Sequence, residues 1–334
     1  MADAQGMKGL HATTIRSPAG ASAEILSLGG IIRTLNIPLG NGTTQDVVLG
    51  YDNISGYEQD TAYMGAIVGR YANRIGNGRY SHAGLTHDLD RNEKSATTLH
   101  GGRHGFSGKT WTVIQSSAEA VVLQLISRDG DQGFPGTVNA KCKYWFSGPR
   151  ELSFTFTATT DKPTPVNLSQ HAYFNLDGTS DLRHHQLQVF ADSYTPTDDL
   201  LIPTGEIAKV DGTRHDFRQL RELSGGNLGF DCNFALDPAP DGTNMRPAAT
   251  LRSPLNGLEM HLATTKPGLQ YYDGHMLSAS APGKRGMAIG RHAGLCLEPQ
   301  FFPDSPNKPE FPNCFLSPGE IYQHTTTLSF RDLD

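Results

Sequence analysis

The sequence predicts an all-β fold, a sandwich or barrel of many short strands, and three observations carry that expectation. Thirty-seven glycines and twenty prolines recur at short intervals along the 334 residues, cutting the apolar runs shorter than most helices need. Several of those runs alternate apolar and polar residues, the period of a half-buried strand. Almost nowhere does an apolar stripe repeat at helical spacing.

Taken in order, Glu24–Leu28 and Ile31–Ile37 read as strands broken at Gly29–Gly30. Trp111–Gln115 and Ala120–Ser127 read as a hairpin. Val138–Phe146 and Leu152–Thr157 alternate clearly, with Leu152, Phe154 and Phe156 on one face. Val166–Leu176 (VNLSQHAYFNL) is mostly apolar and favours β structure, so it reads as one buried or half-buried strand. Gln186–Phe190, Met260–Ala263, Leu269–Tyr272, Leu295–Leu297 and Thr325–Phe330 complete the set. Only His215–Leu223 hints at a helix. The Pro- and Gly-rich piece from Asp237 to Asn256 reads as a surface loop between strands. No linker splits the chain and no repeat of 20 to 50 residues stands out, so it reads as one domain.

Composition removes several function classes. A net charge of −6 gives no general attraction for nucleic acid or anionic membranes. No apolar run approaches the length of a membrane span, and the first 20 residues lack the apolar region of a signal peptide, so the expected location is the cytoplasm. Cys142, Cys232, Cys296 and Cys314 are widely spaced, which indicates neither a disulfide framework nor a zinc knuckle. Walker, GxSxG and HExxH motifs are absent. His100 and His104 stand four apart, but the glycines around them argue against the helix that metal spacing would need, so no metal is expected.

Some residues do suggest chemistry. His171 lies inside the apolar run; taken alone, a hydrogen-bonded core histidine is the first reading. Glu298 ends a short apolar strand, and a buried carboxylate is costly unless paired, which makes it a functional candidate. Asn73 and Arg74 offer several donors and an acceptor to a ligand rich in hydroxyls, although a structural Arg–carboxylate pair fits equally. His100 precedes the glycines of LHGG, at a strand end where functional side chains are often displayed. Asp231 and Gln270 are polar residues in aromatic-rich surroundings, where they can serve a ligand or simply the backbone.

Read together, these segments resemble the aldose 1-epimerase (galactose mutarotase) family. The matching pieces are DVVLGYDNISGY (46–57), GRYANRIGNGRY (69–80), TTLHGGRHGF (97–106), NLSQHAYFNL (167–176), LIPTGEI (201–207), GFDCNF (229–234), PGLQYYDG (267–274), LEPQFFPDSPNKPEFP (297–312) and SPGEIYQHTTTLSF (317–330). They run in the family's order and span residues 8–332. The resemblance implies a large single-domain β-sandwich with an open sugar-binding cleft. It also implies cofactor-free interconversion of the α and β anomers of a free aldose such as galactose or glucose. On the matching positions, Glu298 corresponds to the general base, His171 to the general acid and His100 to a second active-site histidine. Asn73, Arg74, Asp231 and Gln270 correspond to sugar-binding positions, and Tyr173 shares the motif of His171. Departures such as DCNF, GFSGK and LEPQ leave the acid and base intact.

The chemistry suits those groups. Opening the pyranose ring removes a proton from the C1 hydroxyl and delivers one to the ring oxygen; the aldehyde turns and the ring closes on its other face. An ionised Glu298 and a charged His171 are expected, each favoured by the other's proximity. The alternatives are a non-catalytic sugar-binding module on the same scaffold and an epimerase of a phosphorylated hexose, for which Arg103 and Lys109 are the nearby cations. The expected partner is a small sugar, and the assembly a monomer or weak homodimer.

Overall fold

The structure is a computed structural model that describes residues 10–225, 228–239, 241–279 and 281–333. Two antiparallel sheets form its body. The larger has nine strands, in the order Thr112–Ser116, Ala120–Ser127, Val138–Gly148, Glu151–Thr160, Tyr322–Asp332, Leu258–Thr264, Arg246–Ser253, Gln186–Val189 and Arg221–Glu222. The smaller has six, in the order Tyr173–Phe174, Leu295–Gln300, Gly268–Tyr272, Asp231–Ala235, Ser193–Thr195 and Ala208–Lys209. A four-stranded sheet over Ala12–Asp46 packs beside the larger sheet and contributes to the same buried core.

Alternation explains why these strands stack. Tyr144, Phe154, Phe156, Leu251, Leu262 and Leu328 of the larger sheet meet Phe234, Leu269, Tyr271, Leu295 and Leu297 of the smaller in one buried cluster. Side chains of a strand point alternately to its two faces. The residues between the core-facing ones therefore emerge on the outer face of the six-stranded sheet. Register then aligns them in two rows. Tyr173 pairs with Cys296, Cys296 with Tyr272, and Tyr272 with Asp231, while Glu298 pairs with Gln270 and Gln270 with Asn233. A row of polar groups across a sheet's outer face is a ready floor for a ligand.

Most of the expected strands are present, including the hairpin of Thr112–Ser116 with Ala120–Ser127 and the long pair Val138–Gly148 and Glu151–Thr160. Three expectations need correction. Val166–Leu176 is not one strand. Asn167 bridges to Tyr71, Ser169–Gln170 pairs with Ile67–Val68, and Tyr173–Phe174 pairs with Leu295–Cys296, so the fully buried segment passes between three partners. Its polar side chains serve distant backbone instead of solvent, which removed the alternation that would have shown the breaks. His215–Leu223 forms no helix. Phe217 accepts a backbone bond from Val189, and Arg221–Glu222 adds an edge strand beside Gln186–Leu187. The stretch from Asp237 to Asn256 is more than a loop, because Arg246–Ser253 is an interior strand of the large sheet. The ladder shifts register between Pro247 and Ala249, and such a bulge is where a sheet tolerates proline. A five-residue helix, Ile54–Glu58, had no signal in the sequence.

Candidate active site

His171 is held by backbone on both sides. Its N–H donates to Ala66 O at 2.9 Å and its carbonyl accepts from Gly65 N at 3.1 Å. Ser169 Oγ donates to Pro299 O at 2.9 Å, tying this segment to the strand that carries Glu298. The result brings His171 Nε2 to 3.7 Å from Glu298 Oε1, with both side chains at most 6% exposed. Glu298 Oε2 is buried without a hydrogen-bond partner, an unusual cost for a carboxylate.

A second segment delivers Asn73, Arg74 and His100. Arg74–Ile75 pairs with Thr98–Leu99, and Asn73 and His100 both take positive φ at the turn-out of that short ladder. The Asn73 N–H donates to His100 Nδ1 at 3.1 Å, and the His100 N–H donates to Asn73 O at 3.1 Å. Gly101 makes the fit possible. At φ +86° a Cβ there would sit 2.1 Å from Gly69 O, so only glycine lets the loop close against its neighbour.

Arg74 is clamped by two carboxylates. Its Nε and Nη2 donate to the two oxygens of Glu93, each at 2.8 Å, and its Nη1 reaches Asp231 Oδ2 at 3.3 Å. Burial alone would lower the guanidinium's pKa, but Asp231 and Glu93 outweigh it and hold Arg74 charged. Both earlier readings of Arg74 therefore describe it: it is a paired structural residue and it lines the cleft.

Together these residues enclose a cavity of about 230 Å³ lined by Asn73, Arg74, His100, His171, Tyr173, Asp231 and Glu298. Seven of the eight residues singled out in the sequence thus converge. Gln270 lies one step outside, donating through Nε2 to Asp231 Oδ1 at 2.6 Å and accepting from Gln300 at 3.2 Å. Roomier hollows of about 1000 and 920 Å³ lie elsewhere, and neither is lined by a histidine. His104 is exposed and outside the cleft. Lys109 pairs with Asp131, and Arg103 lines a different hollow, so neither offers charge to the cavity.

Several wall residues carry no local signal in the sequence. Tyr63 sets its ring edge-on to His100 at 4.5 Å and tilted to His171 at 5.6 Å. Glu93 secures Arg74 from a loop, and Met276–Ser278 close another side. Tyr272 was readable, since it stands two residues after Gln270 on one strand and so shares its face.

Electrostatics differ from the expectation of a charged pair. Burial drives Glu298 well above the ordinary carboxylate range, Asp231 adds to that rise, and Arg74 opposes it. Burial also drives His171 down to about 4 and His100 well below its usual value. Desolvation thus outweighs the attraction between Glu298 and His171 that was expected to keep both ionised.

Ligating atoms of His100, His171 and Glu298 lie within 4.8 Å of one another, a donor set of the kind that binds zinc. The hydrogen bonds argue against that use. A backbone N–H can only donate, so His100 Nδ1 is an acceptor, and a neutral His100 carries its proton on Nε2. That nitrogen faces the cleft as a donor, not as a metal ligand.

A family model for aldose 1-epimerase matches residues 11–329. An aldose 1-epimerase of Escherichia coli K12 is 38% identical over 329 residues, covering 95% of this chain and 94% of that one. A galactose mutarotase of Mus musculus is 40% identical over 317 residues, covering 92% and 91%. Among solved structures, an aldose epimerase homologue from C. elegans matches with a TM-score of 0.92 and 30% identity, over 97% of this chain and 100% of its own. A galactose 1-epimerase from Lactobacillus acidophilus matches with a TM-score of 0.81 and 26% identity, over 97% and 95%. With its ordered motifs, its sandwich and its match to the family model over residues 11–329, the chain belongs to the aldose 1-epimerase family.

Proposed function

We propose that this protein interconverts the α and β anomers of a free aldose, galactose or glucose, by acid–base opening and reclosure of the pyranose ring. One observation carries the reading: a carboxyl and an imidazole, 3.7 Å apart and buried, face a cavity the size of one sugar. Glu298 takes the C1 hydroxyl proton and His171 supplies one to the ring oxygen. The C1–O5 bond opens, the aldehyde turns about C1–C2, and the protons return as the ring closes.

Burial sets how the pair is loaded. The charged pair and the neutral pair hold the same single proton between them, and moving it from Glu298 to His171 gives the form in which Glu298 accepts and His171 donates. A raised Glu298 and a lowered His171 widen the pH range over which that single-proton state persists. Positioned acid and base groups contribute about 10²–10⁴-fold each. Arg74, the Nε2–H of His100, and Asn73 donate to ring oxygen and hydroxyls; Asp231, held by Gln270, accepts from a hydroxyl at the far end; Tyr173 forms part of the wall.

A phosphorylated substrate fits less well. Glu93, Asp231 and Glu298 surround the single Arg74 at the cavity, and two of them already engage it. The reading includes action as a monomer or weak homodimer and a single domain over residues 8–332. The four free cysteines support a reducing, cytoplasmic location, and no helix among the described residues is long and apolar enough to cross a membrane. Polarimetry of freshly dissolved α-galactose and α-glucose tests the proposal. Rates no faster than buffer for both sugars and for pentoses would remove it.

A further inference from the structure

His171 has two ring nitrogens, and only one of them faces Glu298. Nε2 lies 3.7 Å from Glu298 Oε1, while Nδ1 lies 3.5 Å from Cys296 Sγ. We propose that Cys296 is a positioning residue whose sulfur accepts a hydrogen bond from Nδ1–H of the neutral His171 and so keeps Nε2 bare toward Glu298. The proposal deepens the anomer-exchange reading above and rests on it.

Strand register puts the sulfur there. Cys296 stands two residues before Glu298 on Leu295–Gln300, so both side chains leave the same face of that strand. Its neighbours across the sheet are Tyr173 on one side and Tyr272 on the other, and beneath them the thiol is 0% exposed. Cys296 does not line the cavity, so it reaches a bound sugar only through His171. Burial and the nearby Glu298 push the thiol's pKa well up, so the sulfur stays protonated and does not strip the imidazole of its proton.

A thiol can donate as well as accept, and the contact alone permits either tautomer of the ring. Two features select one of them. The carbonyl of His171 itself resists the burial-driven fall in the ring's pKa, as an acceptor for a ring N–H does, and Nδ1 is the nitrogen within reach of it. The proton balance needs the same tautomer. In the neutral pair Glu298 is protonated, and its proton can pass to Nε2 only if that nitrogen is bare, giving a carboxylate and an imidazolium. Ring opening then puts the C1 hydroxyl proton on Glu298 and the Nε2 proton on O5 as the C1–O5 bond breaks, which leaves Nδ1–H and a bare Nε2 once more. Closing takes the O5 proton back at that nitrogen while Glu298 returns its own to O1. A neutral ring protonated on Nε2 has no acceptor for either transfer. The hydrogen bond made at one ring nitrogen decides what the other presents.

The test reads the tautomer directly, by nitrogen NMR of histidine-labelled protein at neutral pH, with His171 assigned from the signals that His171→Asn lacks. Exchange of α-glucose is followed in Cys296→Ala and Cys296→Ser. The expected wild-type pattern is a proton on Nδ1 and a bare Nε2. Cys296→Ala should shift His171 toward Nε2–H and lower kcat about tenfold or more, with KM within about twofold; Cys296→Ser keeps an acceptor and should hold the wild-type tautomer and most of the rate. A proton on Nε2 in the wild type would overturn the proposal, as would an alanine variant with the wild-type tautomer or kcat, or a serine variant that loses as much as alanine does. If Cys296→Ala does not fold, the wild-type spectrum and the serine variant decide. Absence of exchange on glucose in the wild type would instead overturn the anomer-exchange reading itself.

Discussion

Glu298→Gln should make the protein more stable and nearly inactive, and the two effects have separate origins. The carboxyl is 2% exposed, its Oε2 has no partner, and burial together with Asp231 raises its pKa. A buried polar group left unsatisfied costs about 1–3 kcal/mol. Gln keeps the shape and removes the charge, so a gain of about 1 kcal/mol is expected once the wild-type residue would be ionised. In a chain of this size that is about 1–2 °C in Tm. The sign with pH follows from the raised pKa. Between the unfolded and folded values the folded state holds more protons, so the wild type is favoured at low pH and loses stability as pH rises through the folded value. The advantage of Glu298→Gln should therefore grow with pH. Loss of the base should cut turnover about 10²–10⁴-fold. Urea unfolding at several pH values from mildly acid to mildly alkaline gives the first quantity, and polarimetry on α-glucose the second. A variant that is less stable at alkaline pH, or that keeps its turnover, would refute the reasoning.

Three further outcomes follow from the same geometry. The pH profile of kcat/KM should be a broad plateau, falling on the acid side as His171 gains a second proton near pH 4 and on the alkaline side only well above ordinary carboxylate values; a rate proportional to histidinium with a midpoint at 6.5 would contradict it. Arg74→Met removes the partner of Glu93 and Asp231 and should cost about 3 kcal/mol in denaturant unfolding, with KM rising more than kcat falls. Zinc in molar excess should leave turnover unchanged, because the proton on His100 Nε2 blocks ligation; inhibition competitive with sugar would show the opposite tautomer.

How much of this was visible in the sequence depends on whether a residue's signal was local. Glu298 and Asp231 stood out because a carboxylate in an apolar strand conflicts with its neighbours, and the structure finds both at the cavity. The long strands were visible for the same reason, as alternation is a property of consecutive residues. Tyr63 and Glu93 were not visible. They reach the cavity from irregular chain, and what matters about them is a ring set against His100 and a fork bound to Arg74, contacts that no spacing encodes. Val166–Leu176 misled because burial on every side hides the points where a chain changes partner. The charge state misled more deeply. Proximity of Glu298 and His171 could be supposed from their roles, but desolvation depends on Tyr63, Tyr173 and the rest of the wall closing over them, and that is a tertiary property.

That desolvation also bears on why such a pair suits this reaction. The two anomers of a free aldose differ little in free energy, so a catalyst must open and close the ring equally well from either face. A permanently charged acid and base would be strongly solvated partners that the sugar had to displace on every visit. The pair here is buried, and in the proposed mechanism its single proton is placed by the substrate's own oxygens. In the mechanism proposed above, opening moves one proton onto Glu298 and one off His171; closing reverses both, and the site is left as it began whichever anomer departs. Glu93 and Gln270 brace Arg74 and Asp231 by hydrogen bonds, so with those two on the sugar's hydroxyls, as proposed above, the freedom the aldehyde needs is confined to C1.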